Sequence, residues 1–221
     1  EGLDARIELV PMLGATKALR DGTADAMIAG SVHDVLTEFS NWKGVNLCVA
    51  LSQGTPWLLT VRADLEAERG DFDALRGLRL TAANGPDLAF KQMLRSAGLD
   101  PECDLDIVEL PGVHERQISF GVFAAQALQE EQIDGFWANA MGAETAIVQG
   151  TGKIHVDIRR GDDPDEARFF TFAGLATTDE FIAREPDAID AAVRAIVKSQ
   201  RVLRADPTIA RDVGMRKFPP E

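Results

Sequence analysis

The sequence predicts an α/β fold in two similar lobes, with mostly parallel sheets flanked by helices and a ligand cleft between the lobes. Three observations carry this. The segment Leu19-Arg-Asp-Gly-Thr-Ala-Asp25-Ala-Met-Ile-Ala-Gly30 returns 109 positions later as Leu128-Gln-Glu-Glu-Gln-Ile-Asp134-Gly-Phe-Trp-Ala-Asn139. Each copy reads as a helix end, a polar turn carrying Asp, a short apolar strand, then small or polar residues. In an open α/β sheet, ligands sit at the loop that follows a strand's carboxyl end, so two copies imply two ligand-facing loops. Second, apolar runs without strict alternation are separated by helical stretches, the pattern of strands covered on both faces. Third, 221 residues with a 45% hydrophobic fraction suit two lobes of about 100 to 120 residues each.

The elements follow in order. Arg6 to Val10 is a short β-like run, and Ala15 to Arg20 is a helix that stops at Asp21-Gly22. Ala26 to Ala29 is a strand, His33 to Phe39 a helix, and Val45 to Leu51 a strand rich in Val and Leu. Trp57 to Val61 is the next strand, followed by the charged stretch Asp64 to Asp73. Strand Leu78 to Ala82 leads through Asn84-Gly85-Pro86-Asp87 into a helix carrying Phe90, Met93 and Leu94 and closing at Gly98. Strand Asp106 to Leu110 ends at Pro111-Gly112, helix Phe120 to Glu130 follows, and Gly135 to Ala138 is the echoed strand. Helix Ala143 to Gln149 closes at Gly150 before strand Ile154 to Ile158. Phe169 to Ala176 is a returning strand. Thr178 or Asp179 caps a helix through Ala183, Pro186 starts a helix through Arg204, and Asp206-Pro207 starts another. The chain is expected to cross between lobes near Ser52 to Val61 and near Arg160 to Phe170, forming a hinge pair. Residues 1–60 with 165–221 would form one lobe, and 61–164 the other.

Composition excludes several functions. A net charge of -13 argues against nucleic acid, whose phosphates are gathered by Lys and Arg. Cys48 and Cys103 fall in different predicted lobes, so no disulfide is expected. No apolar run approaches the roughly 18 residues that span a bilayer. There is no Gly-x-Ser-x-Gly elbow, and Ser31-Val32-His33-Asp34 is proximity in sequence without the spatial geometry of a triad. The three His are isolated, with no Cys-x-x-Cys or His-Glu-x-x-His, so no metal site is expected. Gly150-Thr-Gly152 precedes a strand, the wrong end for a dinucleotide, and no phosphate-loop lysine motif occurs. No cofactor is expected.

Several segments together resemble the solute-binding proteins of ABC importers, of the class that takes sulfonates, taurine, nitrate and thiamine-pyrimidine precursors. They are Leu19 to Ala26, Asp73-Ala-Leu-Arg-Gly77-Leu-Arg-Leu80, Leu94-Arg-Ser-Ala-Gly98-Leu-Asp-Pro101, Ile133-Asp-Gly-Phe-Trp137, and the tail from Glu185-Pro-Asp-Ala-Ile189 through Arg204-Ala-Asp-Pro207. The resemblance implies a type II periplasmic binding fold and a monomer that captures a small solute by lobe closure and delivers it to a membrane permease. It also implies a bacterial protein of the periplasm, or an extracellular one tethered as a lipoprotein. The chain opens at Glu1-Gly2-Leu3-Asp4 with neither initiator Met nor signal peptide, and the expectation is that a leading segment is removed. The family pattern has a further strand and helix before this start and further helices after Pro219-Pro220-Glu221, so one wall of the site is expected to lie outside this chain. A related enzyme branch makes the thiamine pyrimidine, but its cysteine-rich motif has no counterpart here, and the chain is expected not to be an enzyme. A ligand-sensing domain is the other alternative.

Candidate ligand residues follow the strands. Gly30, Ser31, Val32 and His33 either hold an anion on backbone N–H groups or simply cap a helix. Asn84, Gly85, Pro86 and Asp87 occupy the corresponding place in the second lobe, where the resemblance puts a ligand loop. Trp137, Asn139 and Met141 follow the second echoed strand; Trp137 would stack on a planar solute or lie in the core, and Asn139 offers a donor and an acceptor. Gly54, Thr55 and Trp57 sit at the first crossing. Arg116, within His114-Glu115-Arg116-Gln117, would suit a carboxylate or sulfonate. Arg159-Arg160 reads as surface charge.

Overall fold

The two echoed segments end their helices in the same turn. A computed structural model describes residues 4–8, 10, 12–52, 54–83, 86–111, 119–168 and 173–217. Helix α1 (Met12–Arg20) ends where Thr23 N–H reaches back to Ala18 O (2.9 Å) and Gly22 N–H to Leu19 O (3.3 Å). Helix α4 (Phe120–Gln129) ends with Gln132 N–H on Ala127 O (2.9 Å) and Glu131 N–H on Leu128 O (3.1 Å). This is the same pair of reverse bonds, 109 residues on, and it satisfies carbonyls that a helix end leaves unpaired. The pivot residue must be left-handed: Gly22 has φ 71°, and its counterpart Glu131 is forced to φ 57°. The helices that close at Gly98 and Gly150 end on the same reverse bonds.

The chain divides into two units, Glu1–Ser52 with Phe172–Glu221, and Gln53–Thr171. In the first unit, α1 leads into β1 (Ala26–Ser31), α2 (Val32–Glu38) and β2 (Val45–Ala50). The chain returns as β8 (Ala173–Thr178), followed by α7 (Asp179–Arg184), α8 (Pro186–Ala205) and α9 (Thr208–Lys217). The sheet order is β1-β8-β2, with β8 antiparallel to both neighbours. Leu19, Met27, Val35, Val45 and Ala176 form its buried core. Thr178 caps α7 by accepting from Phe181 N–H (3.2 Å), and Asp206 accepts from Thr208 N–H (3.0 Å) before α9.

The second unit runs β3 (Leu58–Arg62), β4 (Arg79–Ala82), α3 (Pro86–Ser96), β5 (Asp106–Ile107), α4, β6 (Gly135–Ala138), α5 (Ala140–Val148), β7 (Gly152–Asp157) and α6 (Asp165–Arg168). Its sheet order is β5-β4-β6-β3-β7. Strand β4 is parallel to β5 and β6, whereas β3 is antiparallel to β6 and β7. One face packs α3 through Leu80, Phe90, Met93, Leu94 and Trp137; the other packs α4 and α5 through Ala124, Leu128, Phe136 and Ala146.

The α/β class with helix-flanked sheets is as expected, but the expected mostly parallel pairing is not: among the described strands four of the six pairings are antiparallel, because β8 and β3 each oppose two neighbours. Each sheet is a set of like-directed strands with one opposed strand, β8 or β3, beside a crossing. The described residues of 4–10 form no strand, and Ile7 is exposed, because no strand there pairs with them. Strand β5 covers only Asp106–Ile107 of the expected run Asp106 to Leu110, paired with Arg79 and Leu80 of β4.

Candidate functional site

Register gathers one end of the second unit's sheet. Ala82 pairs with Trp137, and Leu58 pairs with both Ala138 and Asp157, so the carboxyl ends of β4, β6 and β7 meet the start of β3. Helices α3 and α5 begin there, their first-turn N–H groups and positive dipole ends favouring an anion. Pro86 is buried at the start of α3, and Asp87 N–H is used by Ala83 O (2.9 Å). On the next turn Lys91 lies 4.0 Å from the Asp87 carboxylate and 3.9 Å from Glu102.

Asn139 is committed on both sides of its amide. Its Oδ1 accepts from Gly142 N–H (3.3 Å), capping α5, and its Nδ2 donates to Ser119 Oγ (3.2 Å) at the start of α4. The two helix starts are drawn together by a glycine contact: a Cβ on Gly142 would lie 2.5 Å from Gly121 O. Met141, 48% exposed, stays open in the first turn of α5. Asn139 therefore fixes the turn between β6 and α5, and the expected donor and acceptor are both engaged.

Trp137 does not stand at a cleft mouth. It is 1% exposed and stacks on Phe90, with ring centroids 5.6 Å apart and planes 17° apart. Phe136 is equally buried on the opposite face, since both faces of the sheet carry helices. Trp57, immediately before β3, is half-buried and touches both cores. Nearby, Gly54 has φ 78° and a Cβ there would meet Arg168 O at 2.9 Å, while Thr55 is buried.

In the first unit, Ser31 is 1% exposed and accepts from His33 N–H (3.1 Å), capping the short α2. A Cβ at Gly30 would lie 2.5 Å from Met27 Sδ, so the flexible Met27 side chain would have to shift to admit one. Val32 and His33 are half-buried in the first turn of α2, where burial raises the Asp34 carboxyl and His33 partly offsets it. Asn84, Gly85 and Arg116 lie outside the described residues.

Sequence reasoning passed over the charge at the end of β7. Asp157 is nearly buried, and Arg159 clamps it with Nε on Oδ1 and Nη2 on Oδ2, both at 2.8 Å. Arg160 Nε lies 3.5 Å from Oδ2 of the same carboxylate. Hydrogen bonds from Arg159 hold Asp157 below the usual carboxylate range against the opposing effect of burial. Two guanidinium groups thus share one buried carboxylate beside the start of β3 and the carboxyl end of β6, and Glu144 also faces Arg159. The available signal was an acid ending an apolar strand just before an Arg pair. Among the described residues no group of three or more His, Cys, Asp or Glu could hold a metal ion, and no helix is long and apolar enough to cross a membrane.

Solved structures share the fold. The periplasmic sulfonate-binding protein SsuA from Methylobacillus flagellatus KT superposes with a TM-score of 0.67 at 20% identity, over 92% of this chain and 56% of that one. The alkanesulfonate-binding protein SsuA from Xanthomonas axonopodis pv. citri, bound to MOPS, gives 0.68 at 13%, over 95% and 67%. The periplasmic nitrate-binding protein NrtA from Synechocystis PCC 6803 gives 0.59 at 11%, over 87% and 52%. The chain thus spans about half to two thirds of the length of these structures. No curated protein matches it significantly. The NMT1-like family model matches residues 66–215, more than half of the chain, and the chain belongs to the NMT1-like family.

Proposed function

We propose that this chain is solute-binding polypeptide of an ABC importer, acting outside the cytoplasm with a membrane permease and capturing a small organic anion or anionic heterocycle. The observation that carries this reading is the convergence, at one end of the second unit's sheet, of the α3 and α5 starts with the Arg159–Arg160 pair on Asp157. Helix starts and guanidinium groups both favour negative charge, and a tetrahedral or planar oxyanion accepts several such donors at once. The similarity to sulfonate-binding and nitrate-binding proteins, one of them bound to the sulfonate MOPS, supports the same ligand class. In the first unit, the Gly30–His33 turn is the corresponding candidate.

A thermal-shift screen tests it with alkanesulfonates, nitrate, aromatic carboxylates and pyrimidine phosphates. A true ligand at 100 times its Kd stabilises the protein by about 2.7 kcal/mol. A specific shift recovered with unaltered ligand supports binding. Chemical conversion of the ligand would favour an enzyme instead, and the absence of any shift across these anions would remove the anion reading.

A further inference from the structure

Strand β7 is an outer edge of its sheet, and an uncovered edge strand offers unpaired backbone groups to any other chain. Here the edge is covered by the connection from β3 to β4. Lys153 Nζ donates to Leu65 O, Gly70 N–H donates to His155 O (2.8 Å), and Arg69 pairs with Asp162 at 2.9 Å. His155 occupies a special place in this arrangement. Leu59 pairs with Val156 and Thr60 with Ile154, so His155 is the extra residue of a β-bulge, freed from the β3 ladder. Its ring, 1% exposed, sets Nε2 2.8 Å from Asp71 O. A carbonyl only accepts, so Nε2 carries the proton and donates. Nδ1 is buried and has no hydrogen-bond partner among the described residues.

We infer that residues 65–71 form an acid-released cover over the β7 edge, with His155 as its latch. A proton added to the ring would go to Nδ1, where no acceptor waits. The charged groups facing the ring do not supply one. Asp71 on the cover accepts from Asp73 N–H (3.1 Å), Asp162 is held by Arg69 and by Asp157 N–H (2.8 Å), and Lys153 on β7 repels an imidazolium. Burial, the largest influence, holds the ring below its ordinary value of 6.5, with Asp71 and Asp162 opposing. The closed cover therefore prefers the neutral ring. Its contribution is complete above pH 6.5 and declines as pH falls, until the closed ring itself is protonated.

Hydrogen exchange of the whole chain, with NMR detection of the His155 ring, tests this. Corrected for intrinsic chemistry, exchange at Gly70 and its neighbours should accelerate by up to about tenfold per pH unit below 6.5, levelling at the ring's own midpoint. Exchange in β4 and β6 should stay slow. His155→Gln keeps an N–H for Asp71 O but cannot titrate, so its cover should stay protected at pH 5. An unchanged Gly70 rate in the wild type while the ring titrates would overturn the inference. So would acid opening in His155→Gln equal to that of the wild type.

Discussion

Arg79 closes on Asp134 with three hydrogen bonds. Its backbone N–H and Nε reach Oδ2 at 2.9 and 3.0 Å, and Nη2 reaches Oδ1 at 3.1 Å. The same guanidinium donates to Gln132 O and Glu131 O, so one side chain staples the echoed turn to the start of β4. In the first copy, Arg184 reaches Asp25 at 3.1 Å. Both echoed aspartates are thus anchors at the amino ends of their strands.

Removing the anchor should cost stability without touching the proposed site. Asp134→Ala is expected to lose about 1 kcal/mol, because the pair is only partly buried. Arg79 holds the Asp134 carboxyl below its ordinary 3.8, so this contribution is complete above that pH and fades as pH falls through the lowered value. Urea unfolding should show a clear wild-type to mutant difference at pH 7 and a smaller one at pH 2.5. An equal difference at both would refute the ion-pair account.

Glu131 pays for its left-handed conformation. Glu131→Gly should raise stability by about 0.5 to 1 kcal/mol, and Gly22→Ala, at the equivalent pivot with open space around it, should lower it by a similar amount. Thermal unfolding of the two variants should move in opposite directions.

The α4–α5 contact has no room for a methyl group. Gly142→Ala drives a Cβ into the Gly121 backbone and should cost about 1 to 3 kcal/mol. Asn139→Ala, which removes the cap and the tie to Ser119, should cost about 1 kcal/mol. If Gly142→Ala melts like the wild type, the helices are not in backbone contact.

Trp137 should behave as core. Trp137→Ala is expected to lose about 3 to 5 kcal/mol. Trp137→Phe, which keeps a ring against Phe90, should fold and retain whatever ligand-induced melting shift the wild type shows. Loss of that shift in a folded Trp137→Phe would return this residue to the site.

Much of the fold was legible because its boundaries are set by local chemistry. Gly22, Gly98 and Gly150 supply left-handed pivots, and Thr178 and Asp206 supply caps, each visible as a residue type in place. Strand direction was less legible, since the apolar runs at Leu58 and Ala173 have no vector; only pairing reveals that β3 and β8 oppose their neighbours. Alternation could not orient Phe136 and Trp137 because helices cover both faces. At the candidate site, the Asn139 turn was found through the echo, but its amide is spent on Gly142 and Ser119. Arg159 and Arg160 are surface charge as read, with side chains 56% and 65% exposed, but their shared partner Asp157 emerges only when the end of β7 is seen beside Leu58.

The central claim is that an anionic solute binds at the carboxyl end of the second unit's sheet. Calorimetric titration of an anion that raises the melting temperature, against the wild type and Arg159→Gln/Arg160→Gln, tests it most directly. The double change also leaves the buried Asp157 carboxylate without its side-chain partners and should lower stability, so affinity is compared on folded protein with retained far-UV circular dichroism, where loss of two charge-assisted contacts should weaken binding about 10- to 100-fold. Equal affinity in the folded double variant and the wild type would contradict the claim.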